Sequence, residues 1–405
     1  MFGRQAATKD PTTELSVQPR QDFVVFAGQD WYNHGRAHAD HQIARELANS
    51  GRVLIVSSIG MRMPMPGKTD KPLRRILRKL RSTLRYFTRP LASVPNLVVF
   101  APVSIPLFSN PWIRALNAHS VAFQVRVAAS ALHLHSPAML VVIPTAFDVI
   151  QHLPWHPRAY LRLDDHASAE DVDQGLIRSM EDGLIAGVDH VVYASETLME
   201  REHDRTSGKA RLIDHGVELE HFTLNGNEPT DMAAIAHPRI GFFGQIERFV
   251  VDIALLEKLA DSLPNAQLVL IGRCTTDIEA LRQRPNVHFL GWRDYEEIPD
   301  YGRAFDVGIC PMPINEWTKS ANPIKVKEYL ALGLPVVSTR IPQLECYRDV
   351  IAFAETPEEF VEAVAAALAC GSTAADRQRR RAVVENDGWD RRAVEVRELL
   401  HRTGD

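Results

Sequence analysis

The chain has 405 residues, 45% of them hydrophobic and 24% charged, with a formal net charge of −5. This is globular composition with apolar material for two cores, and so small a charge gives no ground for a nucleic-acid partner. The four cysteines, Cys274, Cys310, Cys346 and Cys370, form no CxxC pair; this argues against a zinc site or disulfide framework and predicts buried thiols in a reducing compartment. No apolar run approaches the roughly 18 residues that cross a bilayer.

Residues 1–20 are polar and lack the apolar centre of a signal peptide, so a disordered lead-in is expected. A first domain is predicted over 21–224. Phe23 to Ala27 is an apolar run met at once by Gly28, and Ile43, Ala44, Leu47 and Ala48 give a helical stripe before the next run, Val53 to Val56. Strand, helix, strand opens a doubly wound sheet. The glycine fingerprint of dinucleotide enzymes is missing, since bulky Trp31 and Tyr32 stand between Gly28 and Gly35. Ligands in such sheets bind at the carboxyl ends of the strands, so the loop Gly28 to Arg36 is either a site or a turn built on a packed tryptophan.

Residues 68–90 hold nine Lys or Arg against the single acid Asp70, with Leu73, Ile76, Leu77, Leu80, Leu84 and Phe87 at helical spacing. A basic amphipathic helix of this kind suits an anionic membrane surface, with Arg74, Arg75, Arg78, Lys79, Arg81 and Arg85 as its contacts. The alternative is a solvated helix of the fold, packed through its leucines. Further strands are expected at Leu97 to Phe100, Met139 to Ile143, Ala159 to Leu163 and His190 to Ala194. The acids Asp164 and Asp165 follow directly on one of them. A carboxylate there can take a proton from an attacking hydroxyl; equally, Asp165 or Ser168 can cap the helix that runs to about Gly187. Two aspartates with no other clustered ligand are a weak metal signal.

The segment 225–236, polar with Gly226 and Pro229, reads as a linker. The pattern then restarts over 237–375. Strands are expected at Arg239 to Phe243, Ala266 to Gly272, Val287 to Gly291, Phe305 to Cys310, Leu334 to Ser338 and Ile351 to Phe353. Gly244, Gly272 and Gly291 stand at strand ends, where glycine permits close backbone approach to a ligand. Residues 376–405 are predicted to be charged helices anchored by Trp389. In Asn322-Pro323-Ile324-Lys325-Val326-Lys327-Glu328, proline marks a helix start, and Lys325 and Glu328 share one face. A cation beside helix amides makes an anion site, and a carboxylate one turn later can accept two ribose hydroxyls. The bland alternative is an exposed ion pair worth about 0.3–0.5 kcal/mol.

Taken together, these residues resemble the family 4 (group 1) glycosyltransferases. Glu328 to Val337 is similar to their nucleotide-sugar signature, and His215-Gly216-Val217-Glu218 to Phe222 to the junction between their domains. The Asn-Pro-Lys helix start and the aspartate pair look like the branch that builds teichuronic acid and exopolysaccharides. The resemblance implies an α/β fold of GT-B type, two Rossmann-like doubly wound domains facing a central cleft. It implies a donor site of Gly28, Gly244, Gln245, Arg248, Gly291, Trp292, Arg293, Asn322, Lys325 and Glu328. Within it, Glu328 would hold ribose, Lys325 and Arg248 the diphosphate, and the backbone at 291–293 would frame the base. Asp164 or Asp165 would be the base if the reaction inverts the anomeric centre, retention being the alternative, and neither a cofactor nor a metal is implied. The sequence departs from the family at Ser320, where a first glutamate is usual, and at Gln245 and Val250, where Arg and Lys are usual.

The function so implied is transfer of a sugar, from a UDP-sugar, to a lipid-linked or polysaccharide precursor. The enzyme would be cytoplasmic, peripheral on the inner face of the plasma membrane. The alternatives are a sugar-nucleotide epimerase of the same architecture, a non-catalytic nucleotide-sugar or glycan-binding protein, and a membrane-surface scaffold.

Overall fold

A computed structural model describes residues 20–31, 36–57, 59, 87–105, 110–168, 173–206 and 208–401. The apolar runs become strands buried on both faces, as a sheet sandwiched between helices requires. In the first domain the parallel strands are β1 (Phe23–Phe26), β2 (Val53–Val56), β4 (Leu97–Phe100), β5 (Ala138–Val141), β6 (Arg158–Arg162), β7 (His190–Tyr193) and β8 (Ala210–Leu212). A two-residue antiparallel edge, β3 (Phe87–Thr88), adds to β4, giving the order β3-β4-β2-β1-β5-β6-β7-β8.

Alternation along the strands builds two cores. Val24, Phe26, Leu54 and Val56 face helices α2 (Pro111–Ala131) and α3 (Gln174–Gly187). Phe23, Val25, Val53 and Ile55 face α1 (Ala39–Leu47). Asp173, not Asp165 or Ser168, caps α3: its side chain accepts from the Leu176 amide at 3.1 Å. A short helix, α4 (Glu196–Arg201), follows β7 and is capped by Ser195.

The second sheet has six parallel strands, β9 (Arg239–Phe243), β10 (Gln267–Ile271), β11 (Val287–Gly291), β12 (Val307–Cys310), β13 (Val336–Thr339) and β14 (Ile351–Ala354). Their order is β11-β10-β9-β12-β13-β14. Counted within the domain this is 3-2-1-4-5-6, the doubly wound order whose crevice opens between the first and fourth strands. Helix α6 (Ile324–Ala331) stands at that crevice, between β12 and β13. The opposite face of the sheet is covered by α5 (Ile253–Ser262) and α7 (Pro357–Cys370).

The crossing between domains falls earlier than the 225–236 segment. Val217, Phe222, Met232 and Ile235 already lie in the second core, and Val217 donates its amide to Asp387 O at 2.7 Å. The chain end returns. After α8 (Ala374–Ala382), helix α9 (Trp389–His401) places Trp389, Ala393, Val396 and Leu400 in the first domain's core with Phe23 and Ile43. Of the cysteines only Cys310 is buried; Cys274 is half-buried, and Cys346 and Cys370 are exposed on surface segments rather than in strands. The basic contacts Arg74, Arg75, Arg78, Lys79, Arg81 and Arg85 lie outside the described residues.

Candidate active site

The expected donor residues gather where β9, β10 and β11 end. Gly244, Gly272 and Gly291 all have positive φ, which glycine alone adopts without strain. The Gly244 amide donates to Ile271 O at 2.9 Å and the Gly272 amide to Gly291 O at 2.8 Å. A Cβ on Gly272 would fall 1.8 Å from Gly244 O, and one on Gly244 would fall 2.9 Å from Lys325 Nζ. Lys325 therefore reaches back from the first turn of α6 and lies directly over the Gly244 turn. Its ammonium sits 4.3 Å from the centre of the Phe242 ring, and burial lowers its pKa.

One turn on, Glu328 is 8% exposed. Burial raises its carboxyl to about 8, with Lys325 opposing and Glu218 adding to the rise. This is a cation and a desolvated carboxyl on one helical face beside a cradle of backbone. Such an arrangement accepts an anion at Lys325 and hydroxyls at Glu328.

The other expected donor residues are placed unequally. Arg248 is exposed on a groove of 470 Å³ at the carboxyl ends of β9, β10 and β12, whose walls include Asp252, Glu257, Asp277 and Glu279. With that acidic lining, Lys325 is the cation better placed for a diphosphate. Gln245 is exposed and bonds to Glu247. Trp292 is exposed at the rim under the Arg273 guanidinium, 4.3 Å from its ring centre. Arg293 is committed to the scaffold: it donates to Tyr301 Oη at 2.6 Å, Asp231 at 2.7 Å and Leu290 O at 2.7 Å. Asn322 faces the first domain, donating to Ala194 O at 2.7 Å and Asp214 at 2.6 Å. Ser320 is buried and its hydroxyl has no hydrogen-bond partner among the described residues.

On the facing side, the two aspartates separate into different roles. Asp165 accepts from Ser168 Oγ at 2.6 Å and pairs with Arg201 at 2.5 Å and Arg162 at 3.3 Å. Although burial works against it, Ser168 and the two arginines hold its carboxyl below the usual range. Asp164 is the freer one. Its backbone carbonyl accepts from buried Arg162 at 2.7 Å, while burial pushes its carboxyl up to about 7, with Arg162 opposing and Asp165 and Asp40 adding.

Sequence reasoning overlooked Asp40. It lies in the first turn of α1, is buried, and accepts the Gly28 amide at 2.8 Å. Its charge adds weakly to the rise at Asp164 and opposes the lowering at His166 and His215. Ser57, Thr145 and His166, which follow β2, β5 and β6, each carry a buried polar atom with no partner among the described residues. Together they ring the carboxyl end of the first sheet with hydrogen-bonding capacity. A legible signal existed: Asp40, His41 and Gln42 are consecutive polar residues in an amphipathic helix, and all three are buried. Trp31 is also buried, its ring 4.8 Å from that of His41, as a turn built on a packed tryptophan requires.

The two sides are bolted together near this space. Gln42 donates to Tyr295 Oη at 3.2 Å and Glu218 at 3.2 Å, Arg36 approaches Glu218 at 3.4 Å, and Arg45 pairs with Glu218. On α6, buried Lys327 pairs with Asp214 at 2.7 Å and Asp387 at 3.1 Å and donates to His215 O at 2.5 Å.

These features define a class. Residues 237–370 match the model of the family described as glycosyl transferases group 1. The two parallel-sheet domains have the GT-B fold, and residues 237–370 are similar to group 1 glycosyltransferase domains; among the described residues no group of three or more His, Cys, Asp or Glu could hold a metal. Among individual relatives, it is 26% identical over 243 residues to TuaH of Bacillus subtilis (strain 168), named for glycosyl transfer in teichuronic acid biosynthesis. That match covers 56% of this chain and 60% of the relative's length. In fold it is similar to sucrose-phosphate synthase from Thermosynechococcus elongatus, with TM-score 0.68, 16% identity, and 95% and 99% of the two chains covered. It is also similar to Anabaena HepE, solved with UDP and glucose, with TM-score 0.62, 14% identity, and 95% and 100% covered.

Proposed function

We propose that this chain moves a sugar from a UDP-sugar to a lipid-linked or polysaccharide precursor, at the cytoplasmic face of a membrane, in the synthesis of an exopolysaccharide or cell-envelope glycan. The observation that carries the reading is α6, which sets Lys325 over the Gly244 turn and Glu328 one turn further on. A UDP donor is supported by the likeness to HepE, and a glycan product by the likeness to TuaH.

In this reading Glu328 accepts the two ribose hydroxyls. Lys325 and the helix amides meet the diphosphate, and the charge that builds on it as the sugar leaves is stabilised more in the transition state than in the ground state. Asp164, with a carboxyl near 7, takes the proton of the attacking hydroxyl in an inverting transfer. Asp165 is the positioning residue that fixes the turn through Arg162 and Arg201.

The test is incubation of the full chain with a panel of UDP-sugars and a bacterial lipid extract. A new glycolipid together with free UDP is the expected result. Conversion of the sugar nucleotide without acceptor would instead make the protein an epimerase. Donor binding with neither transfer nor slow hydrolysis would make it a binding protein.

A further inference from the structure

Helix α2 carries the largest unpartnered apolar face among the described residues. Trp112 is 85% exposed and Phe123 61%; Leu116 and Val127 on the same helix, and Val103 and Ile105 in the strand-to-helix segment before it, are between 43% and 58% exposed. These six are half of the twelve large apolar side chains exposed in the described chain. Spacings of four, seven and four put Trp112, Leu116, Phe123 and Val127 on one helical face. At 1.5 Å per residue the stripe is about 22 Å long. Val103 and Ile105 are fastened alongside it, because their amides donate to Gln124 and Asn117 at 2.9 Å each.

The charges beside the stripe select its occupant. The 21 residues of α2 contain no acid, and Arg126 lies exposed between Phe123 and Val127. An isologous contact with a second copy would set these cations near one another with no carboxylate on either helix to pair them. An anionic lipid surface has the opposite preference, favouring the cations and burying the rings. The position agrees. The segment carrying Arg74 to Arg85 enters the described fold at Phe87 in β3, and β3 pairs with β4, the strand that leads into Val103 and Ile105. Trp112 begins α2, and a crossover helix begins on the side of the sheet where the strands end, which is also the side of the cleft.

We infer that the exposed face of α2, with Val103 and Ile105, is the surface by which the protein lies on an anionic bilayer, its Trp112 end nearest the cleft. No helix of the described residues is long and apolar enough to cross a membrane; the stripe instead fits the interface, where an apolar helical face sinks about 5–10 Å. The inference rests on the membrane-surface part of the proposed function and gives it a second, apolar anchor. With its mouth held at that surface, the cleft would face acceptors whose lipid stays in the bilayer.

Sedimentation of the full chain with phosphatidylglycerol-containing vesicles, and with pure phosphatidylcholine vesicles as reference, tests it. The variant Leu116→Asp/Phe123→Asp alters only exposed positions, so its melting temperature should match wild type, while its binding to the anionic vesicles should fall at least about tenfold. Bromine-labelled acyl chains should quench the tryptophan emission of wild type, and Trp112→Phe should remove most of that quenching. A companion variant with Arg74, Arg75, Arg78, Lys79, Arg81 and Arg85 changed to Gln separates the two anchors. If it alone loses vesicle binding and the aspartate variant keeps it, the α2 inference is overturned and the membrane reading stands. If wild type binds no vesicle, both are overturned, while donor binding at α6 is untouched. A wild-type dimer in solution that the aspartate variant splits would show that a second copy covers the face, and would also overturn the inference.

Discussion

At the scale of the residue, the proposed chemistry rests on two carboxyls. Asp164 titrates near 7 because it is buried beside Asp165 and Asp40. A base must be ionised to work, so turnover with saturating donor should be low below this pH and rise to a plateau above it. Asp164→Asn should cut turnover by about 10²–10⁴-fold and leave donor binding intact, measured as initial rates alongside nucleotide thermal shifts. Glu328 behaves differently, because its burial costs stability. Its folded pKa of about 8 lies above its unfolded value, so its contribution to stability is full at acid pH and is lost as the pH rises through about 8. Glutamine never ionises. Glu328→Gln should therefore melt above wild type at pH 9 or so and level with it near pH 4. Each unit by which the folded pKa exceeds the unfolded one contributes about 1.4 kcal/mol to that gap. Melting of both proteins across that range measures it. A stabilising change that removes nucleotide binding is what a strained functional residue produces.

At the scale of the element, α6 has two working faces. Lys325 and Glu328 face the crevice at the Gly244 turn, proposed for the donor, while Lys327 points the other way into Asp214, His215 O and Asp387. Burial opposes the charge on Asp214, and the Lys327 ammonium outweighs it, keeping that carboxyl below its usual range. Lys327→Ala would leave Asp214 without its cation, while Asp387 keeps Arg392. A loss of about 1–3 kcal/mol in unfolding free energy is expected from denaturant titration. The alternation of apolar runs with helical stripes made the central strands of both sheets legible, because a strand covered on both faces is mostly apolar; the edge strands β3, whose Phe87 was expected in the basic helix, and β8 are too exposed to show that pattern. Lys325, Glu328 and the three strand-end glycines were legible for a similar reason, since their types are tied to helix starts and positive φ. Arg293, Asn322 and Lys327 were not legible as scaffold, because a charged side chain's partner is chosen by tertiary contacts that periodicity does not encode. Asp40 was hidden inside a stripe read only for its apolar residues.

For the whole molecule, the return of α9 to the first domain couples the two halves. Trp389, Ala393, Val396 and Leu400 fill the face of the first sheet beside α1, and the Trp389 ring lies so close to Gly216 that a Cβ there would meet it at 2.6 Å. Nothing in the order of strands and helices along the chain foretells that crossing, which depends on which apolar face remains uncovered after α1 has packed. Ending the chain after Ala382 would uncover this face and remove Asp387 from Lys327. The shortened protein should lose cooperative melting of the first domain, seen by calorimetry as a broadened or missing transition, whereas residues 237–370 keep their own core.

The central claim is that α6 is a nucleotide-diphosphate site. Its most direct test is a thermal-shift panel of UDP, GDP, ADP, CMP and dTDP, without added metal, on wild type and Glu328→Ala. The account predicts that UDP stabilises wild type, by about 2.7 kcal/mol at 100 times its dissociation constant, and that the alanine variant loses the shift. No shift with any nucleotide, or a UDP shift of equal size in both proteins, would contradict it.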